Sequence, residues 1–404
     1  MYWIIFLTLQ LICVLLSWQF PPIKKIIFKL MIFTFMLFMV DGYFNGIDWV
    51  NYYYGFITYT DLVEYFSSYE PLFGFEVYIL KYLFTDFYLS VAMYYLILSV
   101  LLYFAIIKLR GLFDFNICLF LFLLIIINGI DLFNDQLRQA MAFVMAMFAF
   151  IQLLKNEKTR FIILSCLAIC FHFSAAVVLL FYPLVKKNKI SVIFFGSCSA
   201  FCIVILSLSN ELFSNIISLL GTPGAVISTK IKVYFSQFEP TFGLLAIINL
   251  LIIFRYIIVK KHETEIERIL WNGSFIASLL HLSFYFFPIL HRLNPYFNLF
   301  YCLLCAYYLR NLTRVLTINR IVNYISILLI ITSVNISYFN DPARPENYRG
   351  YILDYWLGYY DIDNDKIKRC DSFNTDVPFG NDSNLLIVFY VQIMPDDFVM
   401  QLHR

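Results

Sequence analysis

The sequence predicts an all-α polytopic membrane protein with about 10–13 transmembrane or re-entrant helices. Of its 404 residues, 61% are hydrophobic and 14% are charged, whereas soluble domains carry about 25% charged residues. Apolar runs close to the ~20 residues that cross a bilayer recur along the chain. Residues 1–20 fit a first span, because they lack the basic start and the small-residue cleavage site of a signal peptide.

The positions of the basic residues predict the orientation, because cytoplasmic loops retain Lys and Arg. The net charge of +2 is too small to indicate a nucleic-acid partner. The outer side of the membrane then holds loops 45–86 and 210–242 and the tail 339–404, so that 1–338 is the membrane domain and 339–404 an outer appendage. All short basic connections fall inside when the spans are 2–20, 26–44, 87–107, 115–133, 139–154, 190–209, 243–259, 269–290, 295–309 and 321–338.

Two segments do not fit a single crossing. Residues 161–185 are apolar but are flanked by basic residues at both ends, Arg160 and Lys186. A hairpin of two half-length helices with its tip near 171–174 keeps both ends inside, and we favour it over one long tilted helix. Residues 73–87 are too short and too charged for a span, so we expect a partly inserted or interfacial helix on the outer side.

Ionisable residues within or beside membrane segments are costly and are therefore candidates for function. All the candidates named below fall on the outer side of the predicted topology, except His172, which lies at the hairpin tip. The candidates are Asp41, Asp48, Glu64, Glu70, Glu76, Asp131, Asp135, Arg138, His172, His281, His291 and Arg292.

These candidates also have structural interpretations. Arg138 and Arg292 fit either interfacial arginines or ligands of a phosphate or carboxylate group. His172 fits either a hydrogen-bonded core residue or a proton acceptor or substrate ligand. Tyr52 and its neighbours fit an interfacial aromatic belt, whose rings can also stack on sugars.

Motifs for other chemistry are absent from the sequence. There is no H-E-x-x-H, no complete Cys/His set and no phosphate-binding Walker loop. Cys302 and Cys305 have the spacing of half a redox or zinc motif, but the second half is missing, so we interpret them as small residues of the membrane core. We therefore expect neither a metal nor another cofactor.

An ordered set of short motifs resembles the Wzy-type O-antigen and polysaccharide polymerases, in particular the EpsG-like family. The resemblance covers residues 40–300, and the tail 339–404 lies outside it. The motifs are DWVNY from Asp48, YEPLF from Tyr69, QLRQA from Gln136, FHFSA from Phe171, and His291-Arg292.

The resemblance implies a metal-independent glycosyltransferase in the bacterial inner membrane, similar to the GT-C-type membrane fold, with its active site facing the periplasm. Such an enzyme moves a growing glycan from undecaprenyl diphosphate to a lipid-linked repeat unit. The implied partners are this lipid-linked oligosaccharide, membrane lipids and a chain-length regulator. The implied site consists of the catalytic candidates Glu70, Asp48 and His172 and the diphosphate- or glycan-binding candidates Arg138, Arg292, Gln139, Tyr52 and His291.

Two alternatives remain at the level of the sequence. An O-antigen ligase would use the same donor but transfer the glycan to lipid A core. A transporter of lipid-linked oligosaccharides would perform no chemistry, although such proteins usually show two pseudo-symmetric halves and this chain has no clear internal repeat.

Overall fold

The computed structural model describes residues 2–42, 48–208, 244–258, 264–286 and 288–309. Every regular element within these ranges is helical, which confirms the all-α prediction. The predicted loop 210–242, the span 321–338 and the tail 339–404 lie outside the described residues.

The described helices follow most of the predicted spans closely. Tighter helical turns occur at Pro21–Ile23, Phe173–Ala175, Tyr182–Lys186 and Pro288–Leu293, and a wider π turn at Asp131–Asp135. The α-helices are α1 (Tyr2–Gln19), α2 (Lys24–Asp41), α3 (Trp49–Thr58), α4 (Leu62–Ser68), α5 (Pro71–Leu83), α6 (Phe87–Arg110), α7 (Ile117–Ile130), α8 (Leu137–Leu154), α9 (Lys158–Phe171), α10 (Ala176–Phe181), α11 (Lys189–Leu208), α12 (Leu244–Ile258), α13 (Glu265–Phe284) and α14 (Asn294–Tyr308).

The surface of the described helices indicates a membrane protein. Helices α6 and α8 are long and apolar enough to cross a bilayer, and shorter apolar helices accompany them. Large apolar side chains are exposed on several helices, for example Ile26 at 68%, Phe194 at 61% and Phe254 at 64%. Extended apolar surface of this kind is rare on soluble monomers but is compatible with contact to lipid.

Helix α8 lies at the centre of the bundle, where it contacts α6 and α9. Ala142, Ala146 and Ala149 are fully buried, and such small side chains let neighbouring membrane helices approach closely. The chain enters α8 after a sharp break at Gly129, whose φ of 69° suits glycine. Because α8 is closely packed along its length, the residues at its amino terminus have a fixed position.

The segment 161–185 forms the hairpin favoured from the sequence. Helix α9 ends at Phe171, and His172 is extended with φ −158° and ψ 124°. The chain returns through α10, and the Lys186 ammonium donates a hydrogen bond of 3.1 Å to the carbonyl of Leu153 at the end of α8. Both ends of the segment therefore lie at one end of the bundle, which excludes a single long helix.

The predicted span 269–290 is wrong at both ends. Helix α13 begins at Glu265 because the hydroxyl of Thr264 accepts a hydrogen bond of 3.2 Å from the Glu267 amide, which caps the helix. It ends at Phe284, and the segment Pro288–Leu293 follows as a separate turn.

The described part of loop 45–86 is a layer of three short helices, α3, α4 and α5. Asp61 and Glu64 form a reciprocal capping box at the start of α4. Asp86 caps α6 by accepting a hydrogen bond of 3.0 Å from the Leu89 amide. These caps define where α4 and α6 begin. Helix α5 contacts α6 and α9, so the layer packs against these two helices.

Candidate functional site

Glu70 lies at the junction between α4 and α5. Pro71 occupies the first helical position of α5, and the residue before a proline is restricted to extended backbone. Glu70 accordingly has φ −59° and ψ 146°, and its carbonyl begins the helix by accepting a hydrogen bond of 2.8 Å from Gly74. The side chain is only 6% exposed, so its carboxylate needs a partner inside the protein.

That partner is Arg138. One guanidinium nitrogen, Nη1, lies 2.9 Å from Oε2 of Glu70. Arg138 belongs to the first turn of α8, and its guanidinium also faces the ring of Tyr69 at 5.8 Å from the ring centre. The motifs YEPLF and QLRQA therefore meet in a single site.

Tyr52 and Asp48 complete the surroundings of Arg138. The Tyr52 hydroxyl lies beside the guanidinium, although it makes no hydrogen bond of regular geometry. Burial and the Asp48 charge raise the pKa of the Tyr52 phenol, so it stays protonated at neutral pH. The Asp48 amide donates a hydrogen bond of 2.6 Å to Asp135, and the Asp48 carboxylate acts electrostatically on Arg138.

A cluster of tyrosines supports this site from the side of α3 and α4. Tyr69 donates a hydrogen bond of 2.8 Å to the Asn51 carbonyl, and Tyr65 donates one of 3.1 Å to the Gly55 carbonyl. A Cβ atom on Gly55 would overlap with the Tyr69 hydroxyl and lie 2.9 Å from the ring of Tyr59. Only glycine therefore leaves room for the Tyr69 side chain that packs on Arg138.

His172 approaches the site from the tip of the hairpin. Its Nδ1 accepts a hydrogen bond of 3.1 Å from the Ser174 amide and lies 2.8 Å from the Ser174 hydroxyl. The charges of Glu70, Arg138 and Arg292 all act on the imidazole. The short turn Phe173–Ala175 also contacts α8 and the turn that carries Arg292.

Gln139 was predicted to bind the diphosphate or the glycan, and in the structure its side chain contacts the backbone of the protein. Its side-chain amide donates a hydrogen bond to the backbone carbonyl of Arg292, and the side chain is fully buried. This bond joins the first turn of α8 to the turn Pro288–Leu293. The Arg292 residue is exposed, and the bond from Gln139 is made to its backbone carbonyl.

The ring of His291 packs against the end of α13. Its ring lies 6.0 Å from that of His281 and 5.8 Å from that of Tyr285, and the Asn294 amide lies 3.2 Å from its Nδ1. Burial lowers the pKa of His291, which favours its neutral form. The structure therefore places His291 beside His281, in an aromatic group adjoining Arg292.

The remaining candidates lie elsewhere or serve other purposes. Glu64 is used in the cap of α4, and Asp41 ends α2. Glu76 lies on α5, where its Oε2 is buried with no hydrogen-bond partner among the described residues. The side chain of Asp131 lies outside the described part of the chain. No group of three or more His, Cys, Asp or Glu side chains within the described ranges is arranged to hold a metal ion.

Sequence reasoning missed three residues that shape the site. Tyr69 and Ser174 lie inside the motifs YEPLF and FHFSA, but the candidates predicted from these motifs were the ionisable residues Glu70 and His172. Tyr296, whose hydroxyl lies 3.0 Å from that of Ser174, appears in the sequence only as another aromatic residue of a span. The two-residue spacing between His172 and Ser174 is a signal that could have indicated their local contact.

Comparison with known proteins gives one result. The model of the EpsG family matches residues 26–355, a range that contains every residue of the site described above. No curated protein and no solved structure matches the chain.

Proposed function

The chain belongs to the EpsG family, and we propose that it is a polysaccharide polymerase of the bacterial inner membrane with its active site facing the periplasm. In this proposal the donor is a growing glycan on undecaprenyl diphosphate and the acceptor is one lipid-linked repeat unit. The family supports a glycosyltransferase-like polymerase, and the buried pair of Glu70 and Arg138 is the observation that supports a site for an anionic donor.

The proposed reaction is a single displacement at the anomeric carbon. The bond from this carbon to the diphosphate oxygen breaks, and a bond to the acceptor hydroxyl oxygen forms. The acceptor proton passes to a carboxylate of the protein, and undecaprenyl diphosphate leaves with the electron pair of the broken bond. The protein must therefore stabilise a leaving diphosphate and accept one proton.

Arg138 is the proposed main ligand of the diphosphate, because a guanidinium presents several donors that match phosphate oxygens. It is charged and packed on Tyr69, and its ion pair with Glu70 uses the nitrogen Nη1, so other nitrogens of the guanidinium remain as donors for a ligand. Arg292 is the proposed second ligand. The bond from Gln139 to its carbonyl holds the turn next to α8, so both guanidinium groups lie at one end of the bundle.

Glu70 and Asp48 are the proposed proton acceptors. Glu70 neutralises Arg138 in the structure, and a diphosphate that binds Arg138 competes with it. A carboxylate released in this way loses its hydrogen bond from arginine and becomes a better base. Asp48 lies at the same charged centre, and its backbone is fixed through Asp135.

The glycan is proposed to lie along the aromatic groups at the two sides of the site, where rings such as Tyr52 and the group around His291 can contact sugars. The exposed apolar helices suit the polyprenyl tail and the surrounding membrane lipids. A chain-length regulator is a further proposed partner.

The proposal is tested in cells of the source organism that lack the chromosomal gene. Wild-type protein should restore a ladder of long glycans, whereas Arg138→Ala should leave single repeats on the surface. A ligase would instead leave finished polymer on undecaprenyl diphosphate when the gene is absent. Failure of repeat units to reach the periplasm without the gene would indicate transport.

A further inference from the structure

The hydrogen bonds of His172 define which of its two ring nitrogens carries a proton. Nδ1 lies 3.1 Å from the backbone nitrogen of Ser174, which caps the turn Phe173–Ala175. A backbone amide is always a donor, so Nδ1 must be the acceptor and cannot carry a hydrogen in this arrangement. The neutral imidazole then has its proton on Nε2.

From this geometry we infer that His172 is a neutral hydrogen-bond donor to the substrate through Nε2–H, and not the general base. Uptake of a proton would place N–H groups of Nδ1 and Ser174 against each other and break the turn. Nε2 already carries its proton and has no lone pair to accept another. Of the three catalytic candidates, the carboxylates Glu70 and Asp48 then remain as the base.

Ser174 and Tyr296 are positioning residues in this inference. The Ser174 hydroxyl lies 2.8 Å from Nδ1 of His172 and 3.0 Å from the Tyr296 hydroxyl. Tyr296 is fully buried, and its carbonyl accepts a hydrogen bond of 2.8 Å from Tyr182. With Tyr296 as donor to Ser174 and Ser174 as donor to His172, one chain of hydrogen bonds supports the Nε2–H tautomer.

The second ring nitrogen of His172 belongs to the charged centre described above. Nε2 has no hydrogen-bond partner among the described residues, while the charges of Arg138 from α8, Arg292 from the turn before α14, and Glu70 from the α4–α5 junction act on the ring. A neutral donor beside two arginines suits an oxygen of the diphosphate. This step rests on the proposed function, because that function supplies the diphosphate.

The tautomer is tested without any substrate by nitrogen NMR of the full-length protein with ¹⁵N-labelled histidine. His172→Gln assigns the signal among the five histidines. We expect a protonated Nε2 and a bare Nδ1 at about pH 7 and still at about pH 6, where an unperturbed histidine is largely charged. A signal from Nδ1–H, or from a doubly protonated ring at about pH 7, would overturn the inference. Ser174→Ala keeps the backbone amide, so Nε2–H should remain the major tautomer, but loss of the hydroxyl donor should raise the minor share of Nδ1–H, which a purely structural role would not require. Tyr296→Phe should have a smaller effect in the same direction.

Activity provides the second test through two matched amides. The variant His172→Gln places an N–H₂ donor near the position of Nε2, whereas His172→Asn can accept the hydrogen bond of the Ser174 amide through Oδ1, as Nδ1 does, but is too short to place a donor near Nε2. We expect His172→Gln to keep chain elongation within about tenfold of wild type, and His172→Asn and His172→Ala to lose about 10²–10³-fold, as for loss of one donor to a developing anion. A stably produced His172→Gln protein as inactive as His172→Ala would contradict the donor role. Absence of elongation by the wild type would contradict the proposed function and leave the NMR result intact.

Discussion

Glu70 and Arg138 form an ion pair of 2.9 Å across 68 residues of sequence. The Glu70 side chain is 6% exposed and the Arg138 side chain 25% exposed, so the pair is largely removed from water. A buried pair of this kind is weak as a source of stability, but removal of one partner leaves a costly unpaired charge. The pair joins the layer formed by α3, α4 and α5 to the central helix α8, and it defines the centre of the site.

Arg138→Ala should abolish long glycans, because the proposed diphosphate leaving group loses its proposed main cationic ligand. We expect elongation to fall by about 10²–10³-fold, and Arg138→Lys to recover only part of it because lysine lacks the guanidinium fork. Glycan ladders and protein levels in membranes measure both effects.

The single change also leaves Glu70 unpaired, which costs about 3–5 kcal/mol. The double variant Glu70→Ala/Arg138→Ala removes both charges and should be stably produced but inactive. Normal chain length in both Arg138→Ala and Arg292→Ala would rule out the diphosphate clamp.

Glu70→Gln separates the two roles of Glu70. Glutamine can still accept a hydrogen bond from Arg138 through its carbonyl oxygen, but it cannot take the acceptor proton. If Glu70 is the base, elongation falls by about 10²–10⁴-fold while the protein level stays near wild type. Full elongation in Glu70→Gln would assign the proton to Asp48, and Asp48→Asn is then the variant that loses activity.

Gly55→Ala should displace Tyr69 and weaken the contact with Arg138. Overpacking of this kind costs about 1–3 kcal/mol, so the thermal midpoint of the purified protein should fall together with its activity. Gly196→Ala is the matched control on α11, because its Cβ would meet only the flexible end of Leu279 at 3.2 Å and the ring of Phe275 at 3.6 Å. Equal midpoints for both variants would show that Gly55 does not hold Tyr69 in place.

Glu76 should make stability depend on pH. Burial raises the pKa of Glu76 from 4.5 to about 8, so folding takes up a proton in the window between these values. The stability is fully present below about pH 4.5 and is lost as the pH rises through about 8. Glu76→Gln should therefore stabilise the protein at pH 7 by about 1–3 kcal/mol and remove the loss of stability between about pH 4.5 and 8.

Thermal unfolding in detergent between pH 5 and 9 measures this effect of Glu76. The control is Glu265→Gln, whose side chain is 69% exposed and whose replacement should change stability by less than about 0.5 kcal/mol. An unchanged pH profile in Glu76→Gln would contradict the buried, protonated state.

The sequence predicted the helices well where the apolar runs were long, as for α6 and α8. It also favoured the hairpin over one long tilted helix, because basic residues flank 161–185 at both ends. The boundaries of α13 were missed, since the cap at Thr264 lies within a polar stretch that the apolar pattern does not mark.

The charged residues of the site were predicted as a group, but their contacts were not. The pairing of Glu70 with Arg138, the use of Gln139 on the carbonyl of Arg292, and the turn of His291 toward His281 depend on how the helices pack. Periodicity places a residue on a helix, but it does not identify the partner on another helix.

The most direct test of polymerase activity is elongation by purified protein in liposomes that contain lipid-linked repeat units of the source organism. We expect a ladder of longer lipid-linked glycans, release of one undecaprenyl diphosphate for each repeat added, and loss of both products in the folded variant Glu70→Ala/Arg138→Ala. Repeats that remain single with the wild-type protein, or a ladder of full length from the double variant, would contradict the proposal.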